Sequence, residues 1–362
     1  MKSKAGRRVH LWLRAETRAD EHRTPLTPTD AATLIAAGID LTVERSARRI
    51  FDDSEYEGIG CELVSTSSWM EAPSRVFILG LKELPETPER LHHRHIYFGH
   101  AYKGQSGADR LLDRFRHGGG KLLDLEYLVD DQGVRLAAFG HWAGYMGAAL
   151  GVLQARARQS GRAAIGPLSA TAKDRLDRDL SDDTACRPPL RALVIGAKGR
   201  CGRGAAAALA TAKVDATLWD IAETADLNID ALLAHDLLIN TVGIHGEARP
   251  FLVPNDLARP SRRLGTVVDV TCDLGSSANA LPIYRCLSNW ARPVLSVACA
   301  GDGSNLDIIA IDNLPSLLPR ESSEHFSSFL APHLLTLADP KSVWETSLFH
   351  FHRALGQTAD RP

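Results

Sequence analysis

The sequence predicts an α/β protein made of two Rossmann-like domains with parallel sheets. Three observations carry that expectation. A glycine-punctuated strand-turn-helix unit lies in the middle of the chain, not at its start. Short apolar runs recur on both sides of it at the spacing of strands alternating with helices. The length of 362 residues fits two domains of ordinary size, each able to bury its own core.

The central unit is the most specific of these. Leu190-Arg-Ala-Leu-Val-Ile reads as a buried strand and Gly196-Ala-Lys-Gly199-Arg-Cys-Gly202 as a turn. Arg203-Gly-Ala-Ala-Ala-Ala-Leu-Ala follows as a small-residue helix. That order makes the phosphate cradle of a dinucleotide fold. Gly196 permits the tight turn. Gly199 lets backbone approach a pyrophosphate at the helix N-terminus, and Gly202 lets the helix lie close on the sheet. A second strand over 214–219 ends in Asp220, roughly 20 residues past the glycines. A carboxylate there accepts from ribose hydroxyls and repels a 2′-phosphate, so the expected cofactor is NAD.

The other elements follow in order. Residues 9–13 read as a first strand, Thr29-Asp30 as the cap of a helix running to Ala37, and 41–44, 76–81 and 96–98 as further strands. Residues 137–155 lack Asp, Glu, Lys and Arg. Yet Gly140, Gly144, Gly147 and Gly151 share one helical face there, which predicts a closely packed helix joining two domains and not a membrane span. Polar surface helix and loop are expected over 157–189. Strands at 237–240, 266–270 and 294–297 complete a five- or six-stranded doubly wound sheet. The two prolines of 311–319 break the pattern, 322–358 reads as one or two helices, and the tail as disordered. The expected domains are 1–138, completed by 322–362, and 139–321, with the active site in the cleft between them.

Composition limits the partners. The net charge of −2 gives no bulk electrostatic case for nucleic acid or an anionic membrane. Cys61, Cys186, Cys201, Cys272, Cys286 and Cys299 are scattered, which argues against zinc and against a secreted disulfide framework. The apolar stretch near the N-terminus is too short for a signal-peptide core, so a cytoplasmic location is expected.

The first domain sets ionisable groups at strand ends. Lys82 follows the apolar run ending in Leu81, the location where α/β ligands bind; a solvated lysine paired with Glu83 or Glu86 is the plain alternative. His100 follows Tyr97-Phe98-Gly99 at a strand end and suits proton transfer near neutral pH, with a structural histidine as its competitor. His92, His93, His95 and His100 lack the acidic or cysteine ligands of a metal site, so no metal is expected. Arg23 and Arg135 are each able to fork a carboxylate or to be surface arginines. Asp124 and Glu126 fall two apart in a presumed strand and thus on one face, either tuning the cationic pair or facing solvent.

Taken together, Leu13-Arg-Ala-Glu-Thr17, Leu26-Thr-Pro-Thr29, Gly80-Leu-Lys-Glu-Leu-Pro-Glu86, Asp124-Leu-Glu126, Ala137-Ala-Phe-Gly140, Gly199-Arg-Cys-Gly202 and Ile311-Asp-Asn-Leu-Pro-Ser-Leu-Leu-Pro-Arg-Glu321 resemble the NAD-dependent, lysine-forming saccharopine dehydrogenase family, within the alanine dehydrogenase superfamily. The resemblance implies Lys82 and His100 as acid–base catalysts, with Glu126 setting their charge balance. It implies Arg23, Arg135, Gln105, Phe139, Thr271, Cys272 and Asp273 around the substrate. Gly196, Gly199, Arg200, Gly202, Asp220, Thr224, Ile311, Asp312, Asn313 and Leu314 match cofactor-binding positions. Val134 departs from an arginine of the family, Gly104 and Ala108 from an acid and a bulky aromatic, and Thr241 from a cysteine facing Cys201, so no disulfide is expected there.

The implied reaction is reversible oxidation of saccharopine to L-lysine and 2-oxoglutarate, by an enzyme that is a monomer or weak homo-oligomer. Two alternatives stand beside it. One is an opine-type dehydrogenase joining 2-oxoglutarate to a different amine in specialised biosynthesis. The other is a catalytically silent NAD-binding regulatory protein.

Overall fold

The computed structural model describes residues 8–102, 104–182, 189–244, 246–299 and 305–356. Cys186 and the tail expected to be disordered lie outside them. The chain divides into two compact units: Met1–Ala138 with Ser322–Pro362, and Phe139–Glu321.

The first unit holds a six-stranded sheet of β1 (His10–Leu13), β2 (Asp40–Glu44), β3 (Glu62–Val64), β4 (Phe77–Leu79), β5 (Arg94–Tyr97) and β6 (Lys121–Asp124). Every pairing is parallel, in the order β3-β2-β1-β4-β5-β6. That order reverses between β1 and β4, which makes the carboxyl ends of these two strands a topological switch point. The strands are nearly all buried because helices cover a parallel sheet on both faces. These are α1 (Pro28–Ala36), α2 (Asp53–Glu57) and α3 (Ala108–Gly118), joined by helices from the chain's end.

The second unit holds α4 (Gly140–Gln159), α5 (Lys173–Ser181), β7 (Arg191–Ile195), α6 (Arg200–Thr211), β8 (Asp215–Trp219), α7 (Ile221–Ala225), α8 (Ile229–Leu233), β9 (Leu237–Asn240), β10 (Thr266–Asp269), β11 (Leu295–Val297) and β12 (Leu306–Ile309). Its six-stranded sheet runs β11-β12-β10-β9-β7-β8, parallel apart from the edge strand β11. The switch point falls between β7 and β9. α9 (Pro319–Leu334) returns the chain to the first unit, and α10 (Trp344–Ala354) ends the described structure. No helix among the described residues is long and apolar enough to cross a membrane.

Three local expectations need correction. The first helix is capped by Thr27, not Thr29 or Asp30: the Thr27 hydroxyl accepts from the Asp30 N–H at 3.3 Å, and Pro28 takes the first helical position. The apolar run 76–81 pairs as a strand only over Phe77–Leu79. Asp124 and Glu126 do not share a strand face, because β6 ends at Asp124 and a 3-10 turn covers Leu125–Tyr127. The Asp124 carboxylate accepts from the Glu126 N–H at 2.9 Å, which caps that turn and stops the strand.

The glycine face of α4 lies against α6 and the sheet. A Cβ at Gly144 would overlap the Cys201 carbonyl, and one at Gly204 would overlap the His141 carbonyl. Gly147 and Gly151 sit over Val268, within 3.3 and 2.7 Å of a would-be Cβ. Backbone therefore packs on backbone at Gly144 and Gly204, and on core side chains at Gly147 and Gly151, an approach no larger residue permits. Gly204→Ala should destabilise the protein by about 1–3 kcal/mol, the usual cost of overpacking. Gly166→Ala, whose Cβ would meet nothing within 4 Å, should leave the urea midpoint in place. Equal midpoints for the two variants would refute the close-packing account.

Candidate active site

The crevice of the first unit is organised by a buried ion pair. Arg14 directly follows β1, and Glu16 lies two residues on. The Glu16 carboxylate accepts from the Leu81 N–H at 2.7 Å and the Lys82 N–H at 3.0 Å, and pairs with Arg14 at 3.3 Å. Arg14 in turn donates to the Lys82 carbonyl. The chain beyond β4 is thus held on both sides of Lys82 by residues from the end of β1. Burial raises the Glu16 carboxyl above its ordinary range, against the opposing pull of Arg14 and the two N–H donors. Gly80 is required by the same device, because a Cβ there would strike the buried Arg14 guanidinium.

A second buried pair lies alongside. Arg23 is 5% exposed and is not a surface arginine. Its Nε donates to Glu21 at 2.7 Å and its terminal nitrogen at 2.5 Å, a forked contact to a carboxylate of its own chain. Burial would raise the Glu21 carboxyl. The Arg23 guanidinium, its hydrogen bonds and the charge of Lys82 outweigh that, and hold it below the ordinary range. Lys82 therefore lies within the electrostatic reach of Glu21.

His100 stands past the end of β5, exposed, with its backbone in the left-handed region at φ 49°. A non-glycine residue held there is strained, and such residues cluster at functional sites. Its Nδ1 is 3.8 Å from the Glu126 carboxylate, and its ring stacks on Phe98. Gly99 before it admits no side chain, since a Cβ would be 2.5 Å from Leu122. The other histidines divide. His92 is exposed, whereas His93 and His95 are core residues packed edge-on around Trp69. Burial holds the His95 imidazole well below its ordinary range, so it is neutral. Among the described residues no group of three or more His, Cys, Asp or Glu is set to hold a metal. Gln105 is half-buried before α3, and Arg135 is exposed in a short antiparallel bridge with Val129.

In the second unit, Gly196 turns off β7 at φ 84°, where a Cβ would be 2.8 Å from the Thr241 hydroxyl. That hydroxyl donates to the Ile195 carbonyl at 2.8 Å. Gly199 caps α6, and a Cβ there would meet only the Gly196 carbonyl at 3.3 Å. Gly202 packs so closely on Gly196 that a Cβ would overlap its carbonyl. Intrahelical bonding begins with Arg203 N–H to the Gly199 carbonyl, so the first-turn N–H groups, starting at Arg200, point out of the helix end. Asp220 ends β8 beside this turn, accepting from Lys198 N–H at 2.8 Å and Ile221 N–H at 2.9 Å. Those bonds hold its carboxyl below the ordinary range. Thr224 bonds back to the Asp220 carbonyl at 2.9 Å. This open cradle with a carboxylate beside it fits a dinucleotide.

Thr271, Cys272 and Asp273 follow β10. Thr271 donates to Asp269 at 2.8 Å, and Cys272 has φ 56°. Burial, reinforced by Asp269, pushes the Cys272 thiol up, so it is protonated. Phe139 precedes α4. Asp312 is exposed, whereas Ile311, Asn313 and Leu314 are buried; Ile311 and Leu314 belong to the core, so only their main chain is available to a ligand. Sequence reasoning missed three groups. Glu16 with Arg14 is one, and Tyr97 at the end of β5 is another. The third is the buried Asp269 carboxylate, which takes Asn240 at 3.0 Å and the Tyr284 hydroxyl at 2.7 Å. The readable signal for the last was that two apolar runs, 237–239 and 267–268, each end in a polar residue.

Two dinucleotide-type sheets, with ionisable groups at the carboxyl ends of one and a glycine cradle at the other, define a nicotinamide-dependent dehydrogenase of alanine dehydrogenase type. The family models agree: "Alanine dehydrogenase/PNT, N-terminal domain" matches residues 12–146 and the C-terminal domain matches 203–349. Solved structures share the fold. An L-alanine dehydrogenase has TM-score 0.67 at 16% identity, covering 96% of this chain and 94% of its own. A transhydrogenase from Sinorhizobium meliloti has TM-score 0.64 at 17% identity, covering 93% and 96%.

Closer relatives narrow the class. The chain is 40% identical to a saccharopine dehydrogenase [NAD(+), L-lysine-forming] of Emericella nidulans, over 96% of this chain and 99% of that one. It is 44% identical to the Neurospora crassa protein of the same name, over 93% and 92%. The chain belongs to the L-lysine-forming saccharopine dehydrogenase family.

The Glu21–Arg23 pair yields a stability test. Glu21→Gln leaves a buried guanidinium without its counter-charge and should cost about 3–5 kcal/mol at neutral pH. Because the Glu21 carboxyl is depressed in the fold, its contribution is present above about 4.5, the ordinary value, and is lost as pH falls through the depressed one. Thermal unfolding of wild type and variant should therefore converge in acid. A gap that stays constant down to that range would remove the pair as its cause.

Proposed function

We propose that this chain is an NAD-dependent dehydrogenase that oxidises saccharopine to L-lysine and 2-oxoglutarate, reversibly. The observation that carries the reading is the grouping in the first unit. Lys82 is fixed past β4 by the Glu16 carboxylate, while His100 and Glu126 stand past β5 and β6, all at carboxyl ends of one parallel sheet. A family of known chemistry supplies the reaction for that grouping.

NAD, when bound, supplies the hydride acceptor for the carbon–nitrogen bond of the substrate. Gly196, Gly199 and Gly202 would cradle its pyrophosphate, with Arg200 at the helix end. Asp220 and Thr224 would hold the ribose, and the main chain of Ile311, Asp312, Asn313 and Leu314 would line it. NAD is preferred over NADP because the Asp220 carboxylate, anionic and held by two N–H groups, repels a 2′-phosphate.

The remaining work falls to side chains. Lys82 takes the proton from the secondary amine nitrogen, so that its electron pair is available to form the imine. His100 accepts a proton from water as that water adds to the imine carbon, then returns it to the departing amine. Glu126, 3.8 Å from His100, offsets the cation that forms. Arg23 and Arg135 would orient the carboxylates, with Gln105 beside them in the first unit; Phe139, Thr271, Cys272 and Asp273 of the second are carried over from the family as substrate positions.

Lys82→Met should lower kcat by about 10²–10⁴-fold with little change in NADH affinity, the usual worth of a general base. NADH absorbance with lysine and 2-oxoglutarate reads the first quantity and fluorescence titration the second. Undiminished turnover in this variant would rule out Lys82 as the base.

A further inference from the structure

The second unit buries a carboxylate that the mechanism above does not use. Asp269 is the last residue of β10 and is 1% exposed. It stands at the carboxyl end of the sheet that carries the glycine cradle, next to the end of β9. The switch point between β7 and β9 is close by, and ligands of open parallel sheets bind at that end.

Four donors converge on this carboxylate. Oδ1 accepts from the Thr271 N–H at 3.1 Å, the Thr271 hydroxyl at 2.8 Å and the Asn240 side-chain amide at 3.0 Å. Oδ2 accepts from the Tyr284 hydroxyl at 2.7 Å. Burial, reinforced by Asp269, pushes the Tyr284 phenol far up, so it remains a donor. A carboxylate is acceptor-only, with room for about four such bonds. An amide in its place offers one oxygen and turns an NH₂ group toward a donor.

The donors come from three separate segments. Asn240 ends β9, and the hydroxyl of the next residue, Thr241, donates to the Ile195 and Gly196 carbonyls at 2.8 and 3.1 Å, where the cradle turns off β7. Thr271 opens the segment 271–273. Cys272 within it lies in the left-handed region at φ 56°, and its thiol donates to the Asp269 carbonyl at 3.4 Å. A non-glycine residue keeps that conformation only when its surroundings over-determine it. Asp269 does so from both sides, with its carboxylate on Thr271 and its carbonyl on Cys272. Tyr284 anchors the other carboxylate oxygen. One carboxyl group thus ties the 271–273 segment to the strand end that also holds the cradle turn.

We propose that Asp269 is a positioning residue: acting through Thr271, it holds the 271–273 segment in the conformation that meets substrate, in fixed register with the cofactor cradle. This rests on the dehydrogenase reading above, from which that segment takes its role. The competing role is purely structural. In that case the network steadies the core, and the folded enzyme works equally well without it.

The test compares the full chain with Asp269→Asn, Tyr284→Phe, Thr271→Val and Thr271→Ser by NADH oxidation, NADH fluorescence titration and thermal unfolding. Asp269→Asn should lower kcat/KM for lysine and 2-oxoglutarate about tenfold or more, mainly through KM, with the NADH Kd changed less than about twofold. Thr271→Ser, which restores the hydroxyl, should recover most of what Thr271→Val loses. Asp269→Asn combined with Thr271→Val should cost little more than the larger single change, because both act through one contact. Tyr284→Phe is the mildest variant and decides the matter if Asp269→Asn does not fold; it should raise KM about threefold, the worth of one neutral hydrogen bond. Lowered thermal stability with unchanged KM in the Asp269 and Tyr284 variants, or additive losses in the double variant, would overturn the positioning role and leave the dehydrogenase reading standing. A wild type that oxidises no NADH with lysine and 2-oxoglutarate would overturn both.

Discussion

The position of Lys82 depends on one carboxylate. Two backbone N–H groups past β4 have no strand to pair with, and Glu16 accepts both. Arg14 neutralises that carboxylate and takes the Lys82 carbonyl, so donors and acceptor on either side of the lysine are satisfied from a single short segment. Three residues of the first motif and three of the second, 66 positions apart, are thereby one object: Arg14, Ala15 and Glu16 fit Gly80, Leu81 and Lys82. The switch point makes this possible. β1 and β4 are neighbours there, and their connections leave in opposite directions. A cationic side chain on a loop would wander; here the peptide carrying it is clamped.

The second unit solves a different problem with different residues. Its ligand is expected to be bound by main chain, so the constraint is how closely backbone segments approach. Gly196 and Gly202 remove two side chains inside the turn, and Gly144 and Gly204 remove two more where α4 crosses α6. Each serves by lacking a Cβ. The sequence carries this plainly, because glycine is the one residue whose identity reports backbone geometry directly. By contrast, Asp269 gathers Asn240, Thr271 and Tyr284 through side chains drawn from separated segments, and no spacing rule announces such a network.

What was legible divides along that line. Strands with continuous apolar runs, such as β7 and β9, were readable because burial on both faces leaves one solution. β12 was not, since Asp307 interrupts its run; that carboxylate is satisfied by Gln154 at 2.8 Å and Arg158 at 3.4 Å, partners far off in the chain. The Thr27 cap was displaced in reading by two later polar residues that also favour helix starts. Asp124 and Glu126 looked like one strand face because period-two spacing cannot see a side chain turning back on its own backbone. The proposed functional residues came from the resemblance. The groups that hold them in place, Glu16 and Glu21, were not readable, because their partners are defined only by the fold.

The charges of the first unit show why holding matters more than charge here. Arg14 faces Glu16, Arg23 faces Glu21, and His100 faces Glu126. The Arg23 guanidinium is thus balanced by its neighbour before any ligand arrives, and offers direction more than net charge. A crevice filled with uncompensated cations would bind every dicarboxylate indiscriminately and would also depress the basicity needed for proton transfer. Pairing Arg14 and Arg23 with carboxylates of their own unit leaves the field there near neutral, so that a small addition of charge is felt strongly where the surroundings are buried.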